Sequence, residues 1–127
     1  MILGAVNASI EAILRLTVLG TNAKQKEVDG VIDTGFSSDL TLPTEVIESL
    51  ELEWLCREVG VMANGREEFF DVFAGTILWD GKPCEVEISA AETMPLVGMN
   101  LLLGHSLKSD VVGGGSVEIL PLLRSST

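Results

Sequence analysis

Two dipeptides, Asn64-Gly65 and Asp80-Gly81, sit between runs rich in β-branched and aromatic residues, and they leave this chain few ways to fold. Asn-Gly and Asp-Gly best accept the φ > 0 positions of a tight turn, so each marks a β-hairpin. The first joins Val59-Gly60-Val61-Met62 to Glu67-Glu68-Phe69-Phe70-Asp71-Val72-Phe73, and the second joins Thr76-Ile77-Leu78-Trp79 to Cys84-Glu85-Val86-Glu87-Ile88. Upstream, Ala12 to Leu19 alternates with Leu14, Leu16 and Val18 on one face, as a half-buried strand requires. A turn at Gly20-Thr21-Asn22-Ala23-Lys24 leads into a further strand, Val28 to Ile32. Pro43-Thr44-Glu45 opens a short helix that Thr44 is placed to cap, and a second short helix is expected at Asn100 to Leu103, closed by Gly104. From Asp110 to Ile119 the pattern is strand, turn, strand. The three glycines Gly113, Gly114 and Gly115 form that turn and no phosphate cradle, since no helix follows them. The expectation is a mostly β chain with one or two short helices, in one domain over residues 1–127.

Charge narrows the partners. Eight basic against nineteen acidic residues give a net charge of −11. Nucleic acid and anionic membrane surfaces both select Lys/Arg-rich faces, so neither is expected here. Two copies of the chain repel each other at neutral pH. Apolar residues make up 46% but aromatics only 5%, with no Tyr, so the core must be aliphatic. Asn7, Glu11 and Arg15 interrupt the apolar N-terminal stretch, which reads neither as a membrane span nor as a signal peptide. A lone cysteine pair, Cys56 and Cys84, without a secretory signal reads as two buried free thiols in a reducing compartment. With one histidine, His105, and no Cys/His cluster, no metal is expected, and no cofactor. The working picture is a cytoplasmic domain.

One segment carries chemistry: Val31-Ile32-Asp33-Thr34-Gly35, an acid, a hydroxyl and a glycine at the end of a strand. Alone it is weak, because Asp-Thr-Gly also caps ordinary turns. Downstream come the hairpin tipped by Asn64-Gly65, then Pro95-Leu96-Val97-Gly98 and the apolar turn Met99-Asn100-Leu101-Leu102-Leu103. In this order the motifs resemble those of the retropepsins, the retroviral-type aspartic proteases, and in particular their small bacterial relatives. The resemblance spans about residues 12 to 119.

The resemblance implies a closed, barrel-like all-β sheet with a flap hairpin, and hydrolysis of peptide bonds. Asp33 would be the catalytic acid, with Thr34 and Gly35 completing its loop. Phe36, Gly98 and the flap tip Ala63, Asn64, Gly65 and Arg66 would contact an extended peptide. Two carboxylates about 3 Å apart cannot both ionise, so one acts as base on a water while the other donates a proton to the carbonyl oxygen. The chain has a single Asp-Thr-Gly, which is half a site; the simplest completion is a C2 homodimer. Dimerisation and cleavage should then both improve toward mildly acidic pH.

Three positions depart from the pattern. Met99 stands where retroviral members usually carry an arginine that helps to pin the dimer. The flap has one glycine, Gly65, at its tip beside Arg66-Glu67-Glu68, and Phe36 replaces the serine of pepsin-like relatives. The alternative function is a retropepsin-like dimerisation or peptide-binding module with little turnover. A glycosidase or metal hydrolase built on Asp29 or Glu11 finds no paired spacing to support it.

Overall fold

A computed structural model describes residues 1–123 of the chain, so the last four residues of the expected 1–127 domain lie outside the described range. The chain is all-β in class. Its strands are β1 (Ile2–Val6), β2 (Ala12–Leu19), β3 (Gln25–Ile32), β4 (Leu40–Leu42), β5 (Glu53–Val61), β6 (Glu67–Trp79), β7 (Lys82–Ala90), β8 (Leu96–Val97), β9 (His105–Ser109) and β10 (Ser116–Pro121). One short helix, α1 (Thr44–Ser49), lies between β4 and β5. The strands form one sheet in the order β5-β6-β7-β4-β8-β3-β2-β1-β10-β9. An additional pairing of β2 with β6, at Val18 with Ile77 and Leu19 with Thr76, curls the sheet back over its own core.

The period-two pattern does what it predicts in β2: Leu14, Leu16 and Val18 are buried while Arg15 faces solvent. They meet Leu40, Leu42, Ile77, Ile88 and Val97 in the central core, and α1 adds Ile47. Among the described residues every buried apolar side chain is Val, Leu or Ile. The aliphatic core read from the composition is therefore what fills the curled sheet.

The two hairpin dipeptides turn differently. At Asp80-Gly81 both residues have φ > 0, +52° and +79°, giving the two-residue loop that suits the right-handed twist of paired strands. At Asn64-Gly65 only Gly65 is left-handed, with φ +82°. There Gly65 N–H donates to the Met62 carbonyl and Met62 N–H to the Arg66 carbonyl, a longer loop closed by a glycine bulge.

Other expectations shift. Thr44 does not cap α1: Pro43 is the N-cap and makes no side-chain bond, while the Glu92 carboxylate accepts from both the Thr44 N–H and its hydroxyl. That anion at the helix start is held below its usual range by the Thr44 hydrogen bonds. Asn100 to Leu103 forms hydrogen-bonded turns rather than a second helix, because Gly104 at φ +83° and β9 stop it within one turn. The terminal strand pair runs 105–109 and 116–121, so Val111 and Val112 stand exposed in the turn. Cys56 and Cys84 are separate thiols on β5 and β7, with β6 between them, and both are half-buried rather than buried. Among the described residues no helix is long and apolar enough to cross a membrane.

Candidate functional site

The Asp33 loop begins where β3 ends. β3 pairs in parallel with β8, aligning Val31 with Leu96 and Ile32 with Val97, so the two apolar-apolar-turn segments noticed in the sequence run side by side. The pairing continues past the strand: Asp33 N–H donates to the Val97 carbonyl at 2.9 Å. Phe36 N–H then returns to the Asp33 carbonyl at 3.1 Å, and Gly35 N–H donates to Asp33 Oδ1 at 2.9 Å. The carboxylate is thereby oriented by its own loop, as an Asx turn orients it. Asp33 is half-buried, and Thr34 and Gly35 are exposed beside it.

Gly98 is dictated by close approach rather than by torsion. A Cβ there would lie 2.0 Å from the Ser38 carbonyl oxygen and 2.7 Å from the Phe36 ring. The bare backbone lets the 33–39 loop lie directly on 97–100, and Phe36 leans across the glycine to wall one side of the loop. Met99 N–H donates to the Phe36 carbonyl at 2.7 Å, Gly98 N–H to Asp39 at 2.9 Å and Asn100 N–H to Ser38 at 3.1 Å. By contrast, a Cβ on Gly35 would meet only Asp33 Oδ1, at 3.3 Å, so that position is open to solvent. Asp33, Thr34, Gly35, Phe36 and Gly98 are thus gathered in one place.

The hairpin tip belongs to a different element. Ala63, Asn64, Gly65 and Arg66 are exposed at the end of the β5–β6 hairpin, and among the described residues no hydrogen bond or strand pairing joins them to the Asp33 loop. What fixes the hairpin is lower down. Arg57 stands opposite Asp71, and the Asp71 carboxylate accepts from Trp54 Nε1 at 3.1 Å and Arg57 Nε at 3.4 Å. Those partners, the Trp54 hydrogen bond foremost, hold the Asp71 carboxyl below the usual aspartate range. Beyond that staple Val59, Val61 and Phe69 project unburied.

His105 plays a packing part. Its Nε2 accepts from Trp79 Nε1 at 3.3 Å and its Nδ1 sits 3.1 Å from the Leu103 carbonyl, so the donors and acceptors match only the neutral ring with its proton on Nδ1. Asp29 and Glu11, the acids of the hydrolase alternative, are engaged by Arg15 and Asn7 respectively. Among the described residues no three metal-ligating side chains come together.

Residues the sequence reading passed over also serve the loop. Asp39 and Asn100, 61 positions apart, bond side chain to side chain directly behind it. The only sequence signal was a charged residue immediately before the apolar run Leu40-Thr41-Leu42. A cleft of about 650 Å³ reaches this pair from the side of Leu19, Leu52 and Val86, and Asp33 does not line it. Comparison with protein-family models, with curated proteins and with solved structures finds no match for the chain.

Proposed function

We propose that this chain is one half of an aspartic endopeptidase, completed when a second copy brings its own Asp33 across a two-fold axis. The observation that carries the proposal is the setting of Asp33: a half-buried acid on an exposed loop whose main chain is tied to Val97 and whose Oδ1 is oriented by Gly35 N–H. A reacting group needs that combination of access and fixed direction. The motif order that resembles the retropepsins supports the same reading, as does the curl of the sheet through β6, β7, β4, β8, β3 and β2.

In the dimer one Asp33 is ionised and takes a proton from a water as that water attacks the peptide carbonyl. The other Asp33 donates a proton to the carbonyl oxygen, so the pair works with one proton between them. Collapse of the tetrahedral diol breaks the C–N bond as the Asp33 that took the water's proton passes it to the leaving nitrogen and one diol hydroxyl returns its proton to the other Asp33. Phe36 and the open face at Gly35 flank the substrate backbone, and the β5–β6 hairpin is the lid that covers it.

A second reading is favoured by one contact. Asp33 Oδ1 is already engaged by Gly35 N–H, as in a turn with no chemistry, which suits a dimerisation or peptide-binding module. Asp33→Asn separates the two. An enzyme loses peptide cleavage by about 10³-fold or more while its sedimentation as a dimer is unchanged. A binding module shows no pepstatin-sensitive cleavage before the substitution or after it.

A further inference from the structure

Asp39 is 8% exposed, and both its carboxylate oxygens are engaged. Oδ2 accepts the Glu87 N–H at 2.9 Å and Oδ1 accepts the Asn100 amide at 2.7 Å. Neither partner is a cation. Among the described residues no Lys, Arg or His lines the cleft beside it, whose other ionisable groups are Glu53, Glu85 and Glu87. A buried carboxyl group satisfied only by neutral donors makes no ion pair, and its two hydrogen bonds fix the groups they join. Here they lock together three elements: the loop after Asp33, the start of the 100–103 turns and β7. The main chain follows the same seam, through Gly98 N–H to Asp39, Met99 N–H to Phe36 and Asp33 N–H to Val97.

From this juxtaposition we propose that Asp39 and Asn100 are a positioning pair: Asp39 aims the Asn100 amide, and together they hold the loop carrying Asp33 in register on 97–100. The effect on cleavage rests on the reading of Asp33 as the reacting acid; the hold on the loop can be read without it.

Asn100→Asp places a second carboxylate at hydrogen-bond distance from Asp39. Two such groups repel once both are ionised, so at about pH 7 the seam opens, and toward about pH 4 a shared proton bridges it again. The reciprocal double variant, Asp39→Asn with Asn100→Asp, restores every bond: the new amide offers its oxygen to Glu87 N–H and its NH₂ to the carboxylate at position 100. Asn100→Ala withdraws the donor without adding charge and is the milder control.

Amide hydrogen exchange at Phe36, Gly98, Met99 and Asn100 reports the hold, and peptide cleavage with kcat and KM separated reports its use. Asn100→Asp at about pH 7 should lose protection at these four amides by about tenfold or more while β2 and β3 stay protected. In the same variant kcat should fall by about tenfold or more with KM within about twofold, the ratio to the unsubstituted protein recovering in acid. The reciprocal variant should regain both, and Asn100→Ala should show the local loss with no recovery in acid. Unchanged protection in Asn100→Asp, or a reciprocal variant no better than the single one, overturns the positioning pair. If exchange follows this pattern but the unsubstituted protein cleaves nothing, the protease reading falls and the lock stands.

Discussion

At Gly98 a methyl group has nowhere to go, because the atom it would strike at 2.0 Å is a backbone carbonyl that the crossing of two loops fixes in place. Gly98→Ala should therefore lower stability by about 3 kcal/mol, the upper end of what overpacking costs. Gly35→Ala, whose added methyl meets only a carboxylate oxygen at 3.3 Å, should leave the thermal midpoint nearly unchanged. Thermal denaturation of the two variants side by side checks the contrast, and equal losses would mean the loops do not cross as described. The same contrast shows what a sequence reveals of a site. Asp33, Thr34, Gly35 and Gly98 were legible because each lies within a few residues of its own apolar strand. Asp39 and Asn100 were not, because their meaning is a contact across 61 positions that no local pattern announces.

Among the elements, those with a strong local signal were legible. Alternation in β2 and the two hairpin dipeptides foretold strands and turns, and Asp80-Gly81 turns as its residue types demand. β1, β4 and β8 carry no such signal. They are two to five residues long, and each exists because a neighbour already in the sheet supplies its hydrogen bonds. The helix at Asn100 failed for the opposite reason: one turn of favourable residues cannot nucleate against a glycine and a strand on its far side. The β5–β6 hairpin yields a prediction with a sign. Because the Asp71 carboxyl is held below its unfolded value, its contribution is complete above the ordinary aspartate range and is lost as pH falls through the lowered folded value. Exchange protection near Arg57 and Asp71 should be weaker in Asp71→Asn than in the unsubstituted protein at neutral pH, and the gap should close in strong acid. The effect will be small, since the pair is solvent-exposed. A gap that widens in acid would contradict the sign.

For the molecule as a whole, net charge and the proposed pairing of two Asp33 carboxyls point the same way. Each copy carries −11, so bringing two together at neutral pH works against a repulsion that protonation of carboxylates relieves. Sedimentation from about pH 8 down to about pH 5 should show the dimer gaining at the acid end, and added salt should produce part of the same gain at pH 8. A dimer equally strong throughout would place the interface away from the acidic surface. That Met99 is exposed beside the Asp33 loop, with Leu103 exposed four residues on, fits an apolar contact there rather than an ionic one. In the proposed shared site Asp33 works only with its counterpart, which subunit mixing tests directly. With free exchange and an equal amount of Asp33→Asn protein added, like pairs of unsubstituted chains fall to about half their number, and cleavage should fall to about half with them. Cleavage that stays level or rises as the Asp33→Asn protein goes to large excess would show that one Asp33 suffices, and the shared site would be refuted.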